Sequence, residues 1–170
     1  GYLSTNSYHN ATHAADVFQS ASFLLYGVEL QTITKLDSIE CFSLLFAASI
    51  HDYEHPGTSN IFLTKTGHKL AVIYNDHNVL EMHHVAASYK LIHETKKELF
   101  LFKDMSDADY SRIREICISA VLATDYTNHF KDLGLLRSLT SRGDFLQPKD
   151  GDAVLNKDDR MLILNVALHT

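Results

Sequence analysis

Apolar residues recur at helical spacing along most of the chain. The first predicted helix covers residues 10–26 and ends at Gly27 as a C-terminal cap; its apolar stripe is Ala14, Val17, Ala21, Leu24 and Leu25. Residues 38–50 are apolar on nearly every side, which predicts a central, buried helix. Asp37, with Glu40 three residues later, predicts the N-terminal cap of that helix.

The pattern continues after a turn at Pro56-Gly57. A short helix is predicted over about residues 60–66. A longer helix is predicted to begin at Asn78, with Glu81 at its third helical position.

Two further helices complete the prediction. One starts at Ser106, and the last starts near Asp158 and continues to the end of the chain. No segment alternates as a strand does, and we find no internal repeat or low-complexity linker. The sequence therefore predicts an all-α fold, a compact multi-helix bundle in one domain.

Composition narrows the function classes. The net charge is −6 without a Lys/Arg cluster, which disfavours a nucleic-acid partner or an anionic membrane surface. The longest apolar stretch, residues 41–50, is too short to span a bilayer. Cys41 and Cys117 both lie in apolar helical patterns, which indicates buried thiols in a reducing compartment. We therefore expect a cytoplasmic protein.

Histidine is the residue type that suggests chemistry, with 11 in the chain. His9 and His13 are four residues apart, a spacing that places two side chains on one helix face. His51-Asp52 directly follows the apolar segment 38–50. Such groups are costly there unless something binds them, and a divalent metal ion is the simplest candidate. A pair exposed at a helix end is the alternative, and the apolar helix before it argues against that.

Asp52 and His55 differ in what they offer to a metal ion. A carboxylate has two oxygens and is able to bridge two ions, whereas a histidine has one free donor nitrogen. His55 is either a ligand or a residue that hydrogen-bonds to the ligands and orients them. The second role is favoured, because a third histidine would leave a catalytic ion with too few open positions.

Several motifs are similar to those of the class I 3′,5′-cyclic nucleotide phosphodiesterases. Residues 8–17 resemble the family signature Y-H-N-x-x-H-A-x-D-V, and residues 50–57 resemble I-H-D-x-x-H-P-G. The remaining matches are residues 60–63 with S/T-N-x-F-L, 74–84 with Y-N-D-x-x-V-L-E-x-H-H, and 121–125 with V-L-A-T-D/E. The motifs occur in family order along nearly the whole chain. The resemblance implies the helical bundle of this HD-domain type, incomplete in this segment.

The resemblance also implies a role for each matching residue. His9 would be the catalytic proton donor, and His13 and His51 would bind the tight metal ion. Asp52 would bridge the two ions. Tyr8 would form a wall of the substrate pocket, to which His9 and Asp52 also contribute.

The same resemblance places His55, Glu81 and Thr124 around the water that the ions activate. For Glu81 a local role as the capping acid of its own helix is equally open. The implied cofactors are two divalent ions, Zn²⁺ at the tight site and Mg²⁺ or Mn²⁺ at the second.

The implied function is hydrolysis of the 3′ phosphoester bond of cyclic AMP, cyclic GMP or both, giving 5′-nucleoside monophosphates in signal transduction. Two ions would clamp the phosphate and make a water more acidic. An imidazolium near neutral pH is a natural donor for the departing 3′ oxygen. That donor would be His9.

The sequence departs from the family pattern at its ends. The last metal-binding aspartate of the family lies in H-x-A-D, and this chain stops at His169-Thr170. We therefore expect residues 1–170 to be the central part of one catalytic domain. The N-terminal helices, the fourth ligand Asp and the C-terminal nucleotide-recognition helices would lie outside it, as would any regulatory domains or partners. Alone, the segment is expected to be weakly active or inactive.

Two other interpretations remain. A generic HD-type phosphohydrolase would act on another phosphate ester, but such proteins lack the signatures at residues 8–13 and 74–84. A catalytically inactive family member or fragment would serve as a regulatory or interaction module. The presence of His9, His13, His51 and Asp52 argues against that loss of function.

Overall fold

Every regular element in the part of the chain that the structure describes is a helix. The computed structural model describes residues 1–95, 101–141 and 155–168. In chain order the elements are α1 (Ala11–Ser22), a π-helical turn (Phe23–Gly27), α2 (Leu30–Thr34), α3 (Ser38–Ile50), α4 (Asn60–Lys65), α5 (Lys69–Ile73), α6 (Val79–Glu94), α7 (Asp107–Ala123), α8 (Tyr126–Thr140) and α9 (Lys157–Ala167). The predicted all-α class is confirmed.

Helices α3 and α7 pack against each other at the centre of the molecule. Ala47 and Ala48 of α3 and Ala120 of α7 are fully buried in this core. Small side chains at a helix contact allow the two backbones to approach closely. Helix α1 covers α3 and α9 covers α7, so α3 is the central, buried helix that its sequence predicts.

The N-terminus of α3 is tied to two other helices through Glu40. Asp37 and Glu40 form the predicted reciprocal cap, in which the Asp37 N–H donates to Glu40 Oε2 at 2.9 Å. The other oxygen, Oε1, accepts from Arg160 Nε of α9 at 2.8 Å and lies 3.2 Å from a guanidinium nitrogen of Arg112 of α7. Because the Glu40 side chain is only 5% exposed, these cations provide most of its charge compensation.

The predictions for the other long helices are confirmed at their starts. Ser106 caps α7 by accepting the N–H of Asp109. Helix α9 begins at Lys157, with an Asn156–Asp159 cap. The predicted continuation of α9 to Thr170 falls on residues 169–170, outside the described residues.

The predicted extent of the first helical segment is confirmed to within one residue at each end, but the predicted cap at Gly27 is wrong. Helix α1 stops at Ser22, and a π-helical turn follows in which the Val28 N–H donates to Phe23 O at 3.0 Å. Gly27 does not have the left-handed backbone of a glycine cap. A Cβ there would lie 2.5 Å from the Phe23 ring. The exposed Phe23 ring therefore lies against Gly27, which does not act as a left-handed cap.

The start of α6 also differs from the prediction. Asn78 occupies the cap position, but its backbone is left-handed, with φ of 41°, and its side chain donates to Asp125 Oδ2 at 3.1 Å. Asn60 caps the helix instead, since its Oδ1 accepts the N–H of Leu80 at 2.9 Å. Glu81 therefore forms no cap with Asn78.

Helices α2, α5 and α8 are absent from the sequence prediction. The first two have five residues each, which is too short for a helical period to be recognised. Within α8 only Leu139 is buried, and Gly134 interrupts the pattern. In the described ranges, no helix is both long enough and apolar enough to cross a bilayer.

Replacing Arg160 with Met should lower the free energy of unfolding by about 2 kcal/mol, because it leaves the buried Glu40 carboxylate short of a charged donor. Lys157→Met on the same helix is the matched control. Lys157 pairs with the exposed Glu115 at 2.7 Å, so its loss should cost about 1 kcal/mol or less. Urea unfolding measures both. Equal effects of the two substitutions would contradict the role assigned to the Glu40 contacts.

Candidate metal centre and active site

The end of α3 orients the first candidate ligand. His51 is the C-cap residue of α3, and its Nδ1 lies 2.9 Å from Ala48 O. A carbonyl oxygen only accepts, so Nδ1 carries the proton and Nε2 is left as the donor of an electron pair in the neutral ring. His51 is buried, which fixes the direction of that nitrogen.

His13 and Asp52 complete a group of three donor atoms. His13 lies in the first turn of α1, where Asn10 accepts its N–H. Its Nε2 is 3.2 Å from His51 Nε2 and 3.3 Å from Asp52 Oδ2. Asp52 Oδ2 is also 3.2 Å from His51 Nε2. The residues predicted as ligands of the tight ion therefore converge on one point.

This donor set fits a divalent cation. Two imidazole nitrogens and a carboxylate oxygen at such distances repel one another unless a proton or a cation lies between them. Imidazole nitrogens and carboxylate oxygens are ligands that zinc accepts. The chemistry of the three atoms thus agrees with the metal site that the sequence predicts.

Asp52 also takes part in a second group. Its other oxygen, Oδ1, lies 3.7 Å from His84 Nε2. Asp52, His55 and His84 each offer one potential ligand atom within 4.8 Å of the others. Oδ2 of Asp52 therefore faces His13 and His51, and Oδ1 faces His84, which is an arrangement that a bridging carboxylate requires.

Backbone groups orient the two histidines of this second group. His84 Nδ1 lies 2.7 Å from Tyr53 O and must donate to it, so Nε2 faces Asp52. His55 Nδ1 accepts the N–H of Gly57 at 2.9 Å. Each ring therefore uses Nδ1 for the protein backbone, and His84 presents Nε2 to Asp52.

Burial and charge shift the pKa values of the group in opposite directions. Burial alone would raise the pKa of Asp52, but its hydrogen bond to His51 and the neighbouring imidazoles hold that pKa well below its usual range. Burial would lower the pKa of His51, and the contact with Asp52 raises it instead. The pKa of His13 is lowered, chiefly by burial and by the proximity of His51.

The two histidines of the second group are held neutral. Burial lowers the pKa of His84 to about 3. Burial together with the neighbouring His9 lowers the pKa of His55 to about 4. Near neutral pH both rings are therefore uncharged. Nε2 of His84 is then a free electron-pair donor, whereas Nε2 of His55 carries the ring proton because its Nδ1 accepts from Gly57.

The placement of His9 corrects one prediction. His9 precedes Asn10, the cap of α1, so His9 and His13 do not share a helix face. Their ring centroids are 6.0 Å apart and the rings are nearly perpendicular. The His9 ring stacks on His55 instead, at 3.9 Å and 11°. The ring of Tyr8 packs against His13, with the two ring centroids 4.5 Å apart.

The remaining predicted residues line the same cleft, which has a volume of about 620 Å³. Glu81 Oε2 accepts from Asn60 Nδ2 at 2.9 Å, and burial raises the pKa of Glu81. The Thr124 hydroxyl donates to Val121 O at 2.7 Å. The structure thus brings together every site residue predicted from the sequence: Tyr8, His9, His13, His51, Asp52, His55, Glu81 and Thr124.

His84 and Asn60 also line the cleft, and neither was assigned a role from the sequence. His84 is 1% exposed and faces Asp52, and Asn60 holds Glu81. The spacing of Glu81 and His84 was a usable signal for His84, since residues three apart lie on one face of a helix. Asn60 is separated from Glu81 by 21 residues, and no local pattern predicts that contact.

Comparison with known proteins relates the chain to one family. The sequence model of the family described as 3′5′-cyclic nucleotide phosphodiesterase matches residues 8–170. The mouse high affinity cAMP-specific and IBMX-insensitive 3′,5′-cyclic phosphodiesterase 8A is 44% identical over 131 residues, which are 76% of this chain and 15% of that protein. The mouse dual specificity calcium/calmodulin-dependent 3′,5′-cyclic nucleotide phosphodiesterase 1C is 37% identical over 155 residues, 91% of this chain and 22% of that protein.

A solved structure shows the same architecture. The phosphodiesterase domain of the RhoPDE fusion protein from the choanoflagellate Salpingoeca rosetta superposes with a TM-score of 0.83 and 28% identity. The match covers 99% of this chain and 50% of that one. The chain thus spans half of this solved domain and about a fifth or less of the two curated relatives.

The depressed pKa of His84 predicts how the stability of the metal-free protein depends on pH. The unfolded chain binds a proton at this residue below about pH 6.5, whereas the folded chain resists it until about pH 3. The free energy of unfolding should therefore fall as the pH is lowered through this window. His84→Asn retains a donor for Tyr53 O without a titrating ring, so its pH dependence should be shallower. Urea unfolding at several pH values would reveal equal slopes if this interpretation were wrong.

Proposed function

This chain belongs to the 3′5′-cyclic nucleotide phosphodiesterase family, and we propose that it carries the metal-binding part of an enzyme that hydrolyses 3′,5′-cyclic nucleotides. The bond cleaved is the 3′ phosphoester, and the product is a 5′-nucleoside monophosphate. The observation that carries the proposal is the position of Asp52, whose two oxygens face separate imidazole groups. The names of the relatives support cyclic AMP, cyclic GMP or both as substrate.

In this proposal His13, His51 and Asp52 hold a Zn²⁺ ion. Asp52 would also hold a second ion, Mg²⁺ or Mn²⁺, through the oxygen that faces His84. When bound, the two ions supply positive charge to the phosphate and make a water molecule more acidic. Backbone carbonyls fix the rings of His51 and His84. The protein itself therefore orients these two ligands, independently of the ions.

His9 is the proposed proton donor. Its ring lies at the edge of the ligand group, against His55, and lines the cleft that would hold the substrate. The 3′ oxygen is a poor leaving group unless it is protonated, and an imidazolium supplies that proton near neutral pH. Tyr8, 62% exposed at the mouth of the cleft, provides an aromatic wall for the bound nucleotide.

Glu81 and Thr124 complete the proposed polar surface of the cleft. Asn60 Nδ2 donates to Glu81 Oε2, and the carboxylate has further lone pairs that could accept a hydrogen bond from water. The Thr124 hydroxyl donates to Val121 O, so its oxygen remains an acceptor. Both groups are suited to orient the water that attacks phosphorus.

We propose that residues 1–170 form the central part of one catalytic domain, since the chain covers 50% of the solved domain it resembles. A further aspartate ligand and the groups that grip the purine would come from outside this segment. Domains elsewhere in the protein would regulate it within cyclic nucleotide signalling. A cytoplasmic location is supported by Cys41 and Cys117, which are both free and buried.

The proposed activity requires divalent ions. The chain extended through the segments that complete the domain in its relatives should hydrolyse cyclic AMP or cyclic GMP, lose that activity with a chelator, and regain it with Zn²⁺ and Mg²⁺. Product formation is measured by chromatography. Activity that persists without metal would contradict the two-ion mechanism. Hydrolysis of other phosphate esters alone would favour a generic phosphohydrolase, and no hydrolysis with metal would favour a non-catalytic module.

His9 and Asp52 should respond differently to replacement. His9→Ala should lower turnover by about 10²–10⁴-fold, the usual effect of losing a general acid, while the metal content stays near normal. Asp52→Ala should lose the second ion and the activity together. Elemental analysis and turnover numbers on the same preparations test both. If metal content fell with activity in His9→Ala, His9 would be a ligand.

A further inference from the structure

The stack between His9 and His55 joins two segments that are far apart in the sequence. The ring centroids are 3.9 Å apart and the planes differ by 11°. His55 belongs to the turn after α3. His9 lies before the first residue of α1, so helical hydrogen bonds do not fix its position. Another contact must hold the His9 backbone against the His55 turn.

The side chain of Asn6 makes that contact. Its Nδ2 donates to His55 O at 2.7 Å and to His9 O at 3.2 Å. An amide nitrogen has two protons, so both are used by the backbones of the two stacked residues. Asn10 closes the turn, because its Nδ2 donates to Asn6 O at 3.0 Å while its Oδ1 caps α1.

Gly57 is adapted to this arrangement in two ways. Its N–H donates to His55 Nδ1 at 2.9 Å and thereby sets the orientation of the ring. Its backbone is left-handed, with φ of +81°, and a Cβ would lie 2.9 Å from Asn6 Oδ1. The absence of a side chain at this position leaves room for Asn6.

We propose that Asn6 is a positioning residue that sets the separation and orientation of the His9 and His55 rings, and so directs His9 toward the leaving oxygen of the substrate. The proposal rests on the proton-donor role given to His9 above. Asn6 acts through the backbones of both residues and need not touch the substrate. Without its amide group, two carbonyls lose a shared donor and the 6–10 turn is free to move relative to the His55 turn.

Two substrates with different leaving groups distinguish the proposed role of Asn6 from a purely structural one. Cyclic nucleotides lose an alkoxide that needs a proton, whereas bis(4-nitrophenyl) phosphate loses 4-nitrophenolate, which does not. In the metal-loaded full-length protein, Asn6→Ala should lower kcat for the cyclic nucleotide by about 10- to 100-fold. Its kcat for bis(4-nitrophenyl) phosphate, its KM values and its metal content should remain close to those of the unaltered protein.

Two further variants make the test specific. Asn6→Asp retains the shape of the side chain but has no N–H donors, so it should show the same selective loss. Asn156→Ala is the matched control, since Asn156 also caps a helix but lies at the start of α9. It should lower stability without changing the ratio of the two rates. An equal loss on both substrates for either Asn6 variant would overturn the proposal.

A spectroscopic readout does not depend on metal or activity. In the metal-free protein, stacking on His55 should shift the ring protons of His9 upfield, and Asn6→Ala should reverse that shift. Unchanged His9 shifts would overturn the proposal even if the proton-donor role were correct. If His9→Ala lowered kcat equally for the cyclic nucleotide and for bis(4-nitrophenyl) phosphate, the proton-donor role of His9 would be wrong. The proposal that Asn6 directs His9 toward the leaving oxygen would then also be wrong. The NMR result would then still report whether Asn6 holds the stack.

Discussion

The approach of one carboxylate to three imidazole rings is the interaction on which the site depends. Asp52 would be repelled by the free electron pairs of His13, His51 and His84 without a positive charge among them. The fold nevertheless holds these groups together, because His51 and His84 are tied to backbone carbonyls and cannot turn away. The energy of helix packing thereby preserves an arrangement that is favourable only when a proton or a cation supplies that charge.

The parts predicted from the sequence are those that local or periodic patterns determine. The burial of α3 follows from its uninterrupted apolar residues, and the cap formed by Asp37 and Glu40 spans three positions. His51 and Asp52 were identified because they follow an apolar helix directly. Family motifs then assigned roles to residues in separate segments, and the structure brings those residues into one cleft.

The parts that escaped prediction depend on contacts between distant positions. Asn60 caps α6 from 20 residues away, and Asn6 reaches His55 from 49 residues away. Gly27 was predicted to cap a helix, but its backbone is not left-handed and the Phe23 ring lies against it. In each case the residue contacts a partner that is identified only in the folded structure. Neither periodicity nor capping rules contain that information.

The packing of α3 against α7 links the thermal stability of the protein to the geometry of its active site. Ala47, Ala48 and Ala120 are fully buried in the core shared by α3 and α7, the helices that deliver His51 and Thr124 to the cleft. Larger residues there would separate the two helices and displace both side chains. Laboratory evolution for thermal stability would therefore find few acceptable core substitutions where α3 and α7 pack together. Improvements would have to accumulate on the outer faces of the bundle, where side chains can change without disturbing the ligands.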